Sequence, residues 1–173
     1  GLGSVKKKYA LFIVGERNSG KSTFIRSLTG CWKSKIYYVK SLSGNTLRAF
    51  VVLSSPQERE HQDILPQNFP KCIEDKYQVD RKEYDILISP LELVVRNQRL
   101  YGYKPYIQSC LNQGFNVRLA VIETSWNNIR ANPQELTNIQ QYATQRNIPI
   151  ILVNASNDPN AEASRIRQAL YPS

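Results

Sequence analysis

The chain has 173 residues, of which 41% are hydrophobic and 21% are charged, and its formal net charge at neutral pH is +9. These values are typical of one globular domain that buries a core without disulfides or metals. The three cysteines lack the C-x-x-C spacing of a zinc site, and an odd number far apart argues against a disulfide framework. We find neither a long apolar run nor a signal-peptide pattern, so the sequence predicts a cytoplasmic protein.

The domain boundaries follow from the two ends of the chain. We place a single domain at residues 5–173 and interpret residues 1–4 (GLGS) as a remnant of cloning. The chain contains no methionine, which suggests a domain cut from a longer protein that carries further domains or binds a protein partner.

The positive charge is concentrated at the start of the chain. Residues 1–50 hold ten Lys and Arg and a single acid, Glu16, whereas residues 51–173 hold thirteen basic and thirteen acidic residues. Arg17, Lys21 and Arg26 lie in or just after a glycine-bounded segment at residues 15–22, and they account for part of the excess. The remaining lysines form either a solvated face or a surface for nucleic acid or an anionic membrane.

Residues 6–30 contain the strongest signal in the chain. The apolar run at residues 9–14 predicts a buried parallel strand, and Phe24, Ile25 and Leu28 share one face of a predicted helix. Between them, residues 15–22 read GERNSGKS and match the phosphate-loop pattern G-x-x-x-x-G-K-[ST]. The strand, the loop and the helix therefore occur in the order that a phosphate-binding loop requires.

Each residue type in this loop has a chemical role. The two glycines let backbone N–H groups approach phosphates, the lysine reaches the β and γ phosphates, and the serine hydroxyl ligates Mg²⁺. Lys21 is thus a candidate catalytic residue and Ser22 the candidate metal ligand. The predicted nucleotide-binding residues of the loop are Gly15, Glu16, Arg17, Asn18, Ser19, Gly20, Lys21, Ser22 and Thr23.

Strands and helices alternate through the rest of the chain. Two β-rich runs at residues 35–42 and 46–54 flank a glycine turn and predict a hairpin, and residues 55–83 predict a long surface excursion. Further strands are predicted at residues 84–90, 117–123 and 148–153, with helical regions at residues 91–113, 133–147 and 160–170. We expect Gly102 and Pro105 to interrupt the first of these helical regions. This order predicts an α/β fold of three layers, with a mostly parallel sheet and one antiparallel hairpin strand.

With these elements, the chain resembles the Ras-like small GTPases, a group of P-loop NTPases, over nearly its full length. The loop pattern G-x-x-N-x-G-K-S, with Asn18, is more similar to the Era-related GTPases. The resemblance implies Mg²⁺ and a nucleotide as ligands, with GTP or GDP favoured over ATP or ADP.

The segment after the hairpin departs from the family pattern Asp-x-x-Gly-Gln. Gln57 matches the glutamine that positions water and is the second candidate catalytic residue. Leu53 and Pro56 replace the Asp and the Gly, and neither can make the original contacts to Mg²⁺ and the γ-phosphate. Thr29 and Ser34 are the only candidates for the metal-binding threonine of the first switch.

The two base-recognition loops also depart from the family. Thr124 and Asn127 stand at the first and last positions of the Asn-Lys-x-Asp motif, and Asn154 and Ala155 stand at the first two of Ser-Ala-Lys. An asparagine in place of the aspartate puts guanine selectivity in doubt, whereas Ala155 keeps a backbone N–H available for a base oxygen. These loops contact a base or are solvent-facing turns.

Other candidate groups are weaker. Glu123 ends an apolar strand, as a Walker-B carboxylate does, or simply caps that strand. His61 has no nucleophile or acid at a readable spacing, so we predict no catalytic role for it. Asp85 opens its strand and should point away from the ligand-binding edge.

Three functional classes remain open. The resemblance favours a nucleotide-binding domain that is a weak or switch-type NTP hydrolase. A degenerate GTPase that serves as a regulatory or protein-interaction module is the alternative. A small-molecule kinase is the third, with residues 80–82 as its only lid candidate.

Overall fold

The computed structural model describes residues 7–58, 64–97 and 99–173. The expectations for residues 1–4 and for His61 lie outside this range. No helix in the described part is long and apolar enough to cross a membrane.

The described residues form six strands and five α-helices in alternation. The strands are β1 (Tyr9–Gly15), β2 (Lys35–Lys40), β3 (Thr46–Val51), β4 (Ile86–Glu92), β5 (Asn116–Thr124) and β6 (Ile150–Asn154). The helices are α1 (Lys21–Thr29), α2 (Lys71–Tyr77), α3 (Lys104–Asn112), α4 (Pro133–Gln145) and α5 (Pro159–Leu170), with short 3₁₀ turns at Pro66–Asn68 and Arg81–Glu83.

The strands form one sheet in the order β2-β3-β4-β1-β5-β6. β2 is antiparallel to β3, and every other neighbouring pair is parallel. The predicted fold class, a mostly parallel sheet with one antiparallel hairpin strand, is confirmed.

Helices cover both faces of the sheet, as parallel strands require. Along β1, Ala10, Phe12 and Val14 face a core that includes side chains of α2, α3 and α4. The alternating residues Leu11 and Ile13 face a second core formed with α1 and α5. Since successive side chains of a strand point to opposite faces, one apolar run supplies both cores.

Two predicted elements differ from the structure. β4 continues two residues beyond the expected end at Pro90, because Pro90 keeps its place in the parallel pairing with β1. Of the helical region expected at residues 91–113, only Lys104–Asn112 is helical. Pro105 lies in the first turn of that helix, the one part of a helix that tolerates proline.

The described part of the excursion, residues 55–58 and 64–83, contains more secondary structure than the sequence predicts. It contains α2 and the two 3₁₀ turns, and the side chains of Phe69 and Ile73 are completely or almost completely buried. The segment therefore completes the core beneath β4.

The sheet order determines where a ligand can bind. After β4 the chain crosses β1 to reach β5, so β1 lies at the point where the direction of winding changes. Ligands of open α/β sheets bind at such a point, outside the carboxyl ends of the strands. Asp85 lies at the opposite edge and forms an ion pair with Arg48 at 3.0 Å, as predicted from its position at the start of the strand.

Candidate nucleotide-phosphate site

The phosphate loop lies between the end of β1 and the start of α1. Gly20 has a φ of 114°, and a Cβ there would lie 3.2 Å from the Cβ of Ala155. A Cβ on Gly15 would lie 2.3 Å from the Ser19 hydroxyl oxygen. Both glycines are therefore required by the path of the loop, for conformation at Gly20 and for space at Gly15.

The loop presents polar groups that have no partner in the part of the chain that the structure describes. The backbone N–H groups of Gly20, Lys21, Ser22 and Thr23 have no acceptor among the described residues. The buried hydroxyl of Ser19 likewise has no hydrogen-bond partner within that part of the chain. Buried polar groups are normally paired, and a helix N-terminus attracts anions, so these donors fit a phosphate group.

Lys21 is held over the loop. Its ammonium group donates to the backbone oxygens of Gly15 (3.2 Å) and Glu16 (2.8 Å) and lies 3.4 Å from a carboxylate oxygen of Glu92. Burial lowers the pKa of Lys21, and the charge of Glu92 opposes that shift. The lysine is thus positioned at the phosphate cradle with a carboxylate as its counter-ion.

Glu92 is the site residue that the sequence analysis missed. The parallel register places it beside Gly15, at the end of β4, and its side chain is 13% exposed. Burial raises the pKa of its carboxyl group, while the adjacent Lys21 lowers it. The available signal was an acid after an apolar run, but we expected that strand to end at Pro90.

A cavity of about 660 Å³ opens over the loop toward the ends of β3 and β4. The loop residues from Arg17 to Ser22 form its floor. Its remaining walls combine apolar side chains with acidic and basic ones: Leu53, Gln57, Glu58, Pro90, Glu92, Val94, Val95, Arg96 and Leu100. The cavity is large enough for more than a terminal phosphate.

Gln57 lines this cavity, but both atoms of its side-chain amide make hydrogen bonds within the protein. The side chain is 2% exposed, and its oxygen accepts the backbone N–H of Glu92 (2.9 Å) and the hydroxyl of Ser55 (2.5 Å). Its amide nitrogen donates to the backbone oxygen of Glu92 (3.3 Å). Gln57 therefore fixes the end of β4, and with it the position of Glu92.

The two hydroxyls considered for the first switch bond to nearby backbone. Thr29 donates to the Ile25 carbonyl at 2.7 Å, within α1. Ser34 accepts the backbone N–H of Leu53 at 3.0 Å, which joins the residue before β2 to the segment that follows β3. Neither residue lines the cavity.

The base-recognition loops follow β5 and β6, on the other side of the phosphate loop. Thr124 is buried, and its carbonyl accepts the N–H of Ala155 at 2.8 Å, so the backbone donor expected to be available at Ala155 is used within the protein. The Asn127 amide oxygen accepts the hydroxyl of Ser125, and the Asn154 amide oxygen accepts the N–H of Ser156 at 2.9 Å. The structure places Ala155 beside Gly20, and all four residues already make hydrogen bonds within or between the two loops, although Asn127 is exposed.

Two contacts join the loop after β5 to the phosphate loop. The indole N–H of Trp126 donates to the carbonyl of Asn18 at 2.9 Å. The carboxylate of Glu16 accepts the backbone N–H of Asn132 at 3.0 Å, at the start of α4. These contacts connect residues more than 100 positions apart, and no local sequence pattern predicts either.

The remaining candidates lie elsewhere. Glu123 does not line the cavity. Residues 80–82 lie next to the amino end of β4, where Arg81 is paired with Glu74 at 2.8 Å, far from the carboxyl ends of the strands. Among the described residues, no cluster of three or more His, Cys, Asp or Glu side chains could hold a metal ion by itself.

Comparison with known proteins supports the fold. No protein-family model and no curated protein matches the chain. Among solved structures, it is similar to the FeoB G-domain from Methanococcus jannaschii, with a TM-score of 0.50 and 14% sequence identity over 95% of this chain and 96% of that one. The class of protein is thus a P-loop α/β domain with the fold of a G-domain. At this identity the likeness establishes the fold alone.

Proposed function

We propose that this chain is a Mg²⁺-dependent nucleotide-binding domain that binds a nucleoside di- or triphosphate on the loop from Gly15 to Thr23. The observation that carries the proposal is the set of unpaired donors at the start of α1, including the buried Ser19 hydroxyl, with Lys21 above them. No structural contact in the described chain uses these groups, whereas a phosphate would.

Different residues around the loop would bind the phosphates and the Mg²⁺. The N–H groups of Gly20 to Thr23 and the Lys21 ammonium bind phosphate oxygens, and the hydroxyl of Ser22 with the carboxylate of Glu92 would hold Mg²⁺ directly or through water. Bound Mg²⁺ supplies positive charge between the phosphates and the carboxylate. Guanine nucleotides are the first ligands to test, because the fold is that of a G-domain.

The proposal predicts measurable binding. Isothermal titration with GDP, GTP, ADP, ATP and XTP, each with and without Mg²⁺, should give a micromolar or tighter dissociation constant for at least one nucleotide. The affinity should be higher with the metal, because Glu92 lines the same cavity as the loop and its negative charge would oppose phosphates unless Mg²⁺ lay between them. No binding of any nucleotide at millimolar concentration would contradict the proposal.

We further propose that hydrolysis is slow. The Gln57 amide is tied to the backbone of Glu92, and Leu53 and Pro56 cannot sense a γ-phosphate. We expect a single-turnover rate below about 10⁻² s⁻¹, the rate of GTPases that carry an arginine in cis. Because Leu53 and Pro56 cannot distinguish a γ-phosphate, the affinities for di- and triphosphate should agree within about tenfold. Binding of either nucleotide should then not shift the protein between two conformational states.

The variant Gln57→Ala tests whether Gln57 positions water for hydrolysis or only stabilises the end of β4. Gln57→Ala leaves the buried N–H of Glu92 without its partner and should lower the free energy of unfolding by about 1–3 kcal/mol. With nucleotide and Mg²⁺ both saturating, so that a displaced Glu92 does not limit binding, residual hydrolysis should change by no more than about twofold, as expected of a group that does not position water. A rate above the stated value that collapses in Gln57→Ala would show that Gln57 positions water after all.

The engaged state of Gln57 also favours the second candidate function, a nucleotide-binding module that acts through protein partners. The cavity beside the loop favours the third candidate function, phosphoryl transfer to a small acceptor. The cavity is larger than a single attacking water requires, and part of its wall is apolar, as a site for an organic acceptor would be. Measuring nucleoside diphosphate and free phosphate together, with and without a panel of small acceptors, distinguishes the three. Hydrolysis releases both in equal amounts, phosphoryl transfer forms the diphosphate without free phosphate, and a binding module forms neither.

The basic start of the chain offers a separate surface for a partner. Lys33, Lys35 and Lys40 are exposed on and beside the edge strand β2, as are Trp32 and Tyr38. Binding of nucleic acid or of an anionic membrane there remains a prediction.

A further inference from the structure

Trp126 is a large apolar side chain placed in an unusual position. It is 64% exposed, yet its indole N–H donates to the carbonyl of Asn18 in the phosphate loop at 2.9 Å. The ring is therefore fixed next to the cradle by its edge, while much of its surface remains open to solvent.

The loop that carries Trp126 is held by its own hydrogen bonds. The backbone N–H of Ser125 donates to Ile129 at 2.9 Å, that of Asn128 donates back to Ser125 at 2.9 Å, and that of Ile129 donates to the Ser125 hydroxyl at 3.1 Å. A ring anchored at both its backbone and its N–H needs little further ordering when a ligand binds.

Several of the polar groups that could read a base edge already make hydrogen bonds within these loops. The N–H of Ala155 donates to Thr124, the amide oxygen of Asn127 accepts from Ser125, and that of Asn154 accepts from Ser156. An exposed aromatic ring recognises a base through its face, which every base possesses, so it discriminates weakly among bases.

We propose that Trp126 is the stacking platform for the base of the nucleotide whose phosphates lie on the loop, and that it replaces hydrogen-bond recognition of guanine. This inference rests on the proposed nucleotide binding. It predicts that the site binds purine nucleotides more tightly than pyrimidine nucleotides, because purines offer the larger face for stacking. Guanine and adenine nucleotides should bind with affinities within about tenfold of each other.

Fluorescence provides the direct readout. Trp32 is the other tryptophan, is 85% exposed, and can be removed as Trp32→Phe so that Trp126 alone reports. Adding GTP or ATP with Mg²⁺ should change the emission of Trp126, whereas inorganic tripolyphosphate at a saturating concentration should not. Equal changes with nucleotide and tripolyphosphate would overturn the stacking.

Three substitutions separate the ring face from the N–H. Trp126→Leu removes the aromatic face and should weaken nucleotide binding about tenfold or more, with tripolyphosphate binding unchanged within about twofold. Trp126→Phe keeps an aromatic face and should retain most of the affinity. Trp126→Gln keeps an N–H donor and should bind as poorly as Trp126→Leu.

The opposite pattern would overturn the inference. If Trp126 only braces the loop, Trp126→Gln should be tolerated, Trp126→Phe should be impaired, and tripolyphosphate binding should fall together with nucleotide binding. Ile129→Ala is the matched control, because Ile129 is 60% exposed on the same loop and should have no effect.

The same titrations distinguish this inference from the proposed function. If the unaltered protein binds neither nucleotide nor tripolyphosphate, both fail. If it binds nucleotide no more tightly than tripolyphosphate, the phosphate site stands and the stacking is wrong.

Discussion

Lys21→Ala is expected to abolish the stabilisation that nucleotide gives the folded protein. A ligand at one hundred times its dissociation constant stabilises the native state by about 2.7 kcal/mol, which corresponds to a rise in melting temperature of about 5–11 °C for a domain of this size. Lys21 is 9% exposed, and the described chain places no other lysine or arginine over the loop carbonyls. Its removal should therefore eliminate that rise in a thermal melt with Mg²⁺ and nucleotide.

The melt without ligand shows whether the variant folds. Losing Lys21 leaves Glu92 buried without its counter-ion, so some loss of intrinsic stability is expected. Lys71→Ala is the matched control, since its ion pair with Asp75 is exposed and lies on α2. A nucleotide-dependent rise in Lys21→Ala equal to that of Lys71→Ala would mean that the phosphates bind elsewhere.

Glu92→Gln is expected to remove the dependence of nucleotide binding on Mg²⁺. A phosphate that approaches Lys21 also approaches the Glu92 carboxylate, 3.4 Å from the ammonium, and like charges at such distances oppose each other by several kcal/mol at an intermediate dielectric. Without Mg²⁺, Glu92→Gln should bind nucleotide at least about tenfold more tightly than the unaltered protein. Addition of Mg²⁺ should then strengthen its binding by no more than about twofold.

Isothermal titration at matched ionic strength measures both effects. Glu58→Gln is the control, because Glu58 is an exposed acid of the same cavity that makes no hydrogen bond to Lys21 in the structure. It removes the same charge and should keep most of the Mg²⁺ effect. If Glu92→Gln retains the Mg²⁺ dependence and Glu58→Gln loses it, the metal assignment belongs to Glu58.

The amino-acid sequence was sufficient to predict the strand, loop and helix from Tyr9 to Thr29. Glycine at positive φ, a lysine and a hydroxyl at fixed spacing, and an apolar face at helical period are all local properties. The alternation of strands and helices likewise predicted the α/β class and the hairpin. Two predictions that relied on proline were wrong. Pro90 does not end β4, which continues to Glu92, and Pro105 lies in the first turn of a helix that it was expected to interrupt.

The partners of the loop could not be predicted in the same way. Glu92 reaches Lys21 across 71 positions of sequence, Gln57 reaches Glu92 across 35, and Trp126 reaches Asn18 across 108. Gln57 was singled out by its spacing from a turn glycine, and the structure shows what its amide binds. No local pattern contains the geometry of these pairs.

The sequence by itself thus determined the fold class and the strand–loop–helix unit with the phosphate-loop pattern, because backbone conformation and side-chain period are fixed by near neighbours. Only the tertiary structure decided what surrounds the loop. The register of β4 against β1 sets Glu92 beside Gly15, and the turn after β5 sets Trp126 against Asn18. Strand order and register result from packing both faces of the sheet at once, so the charge and the aromatic ring at this site depend on contacts that span the whole chain.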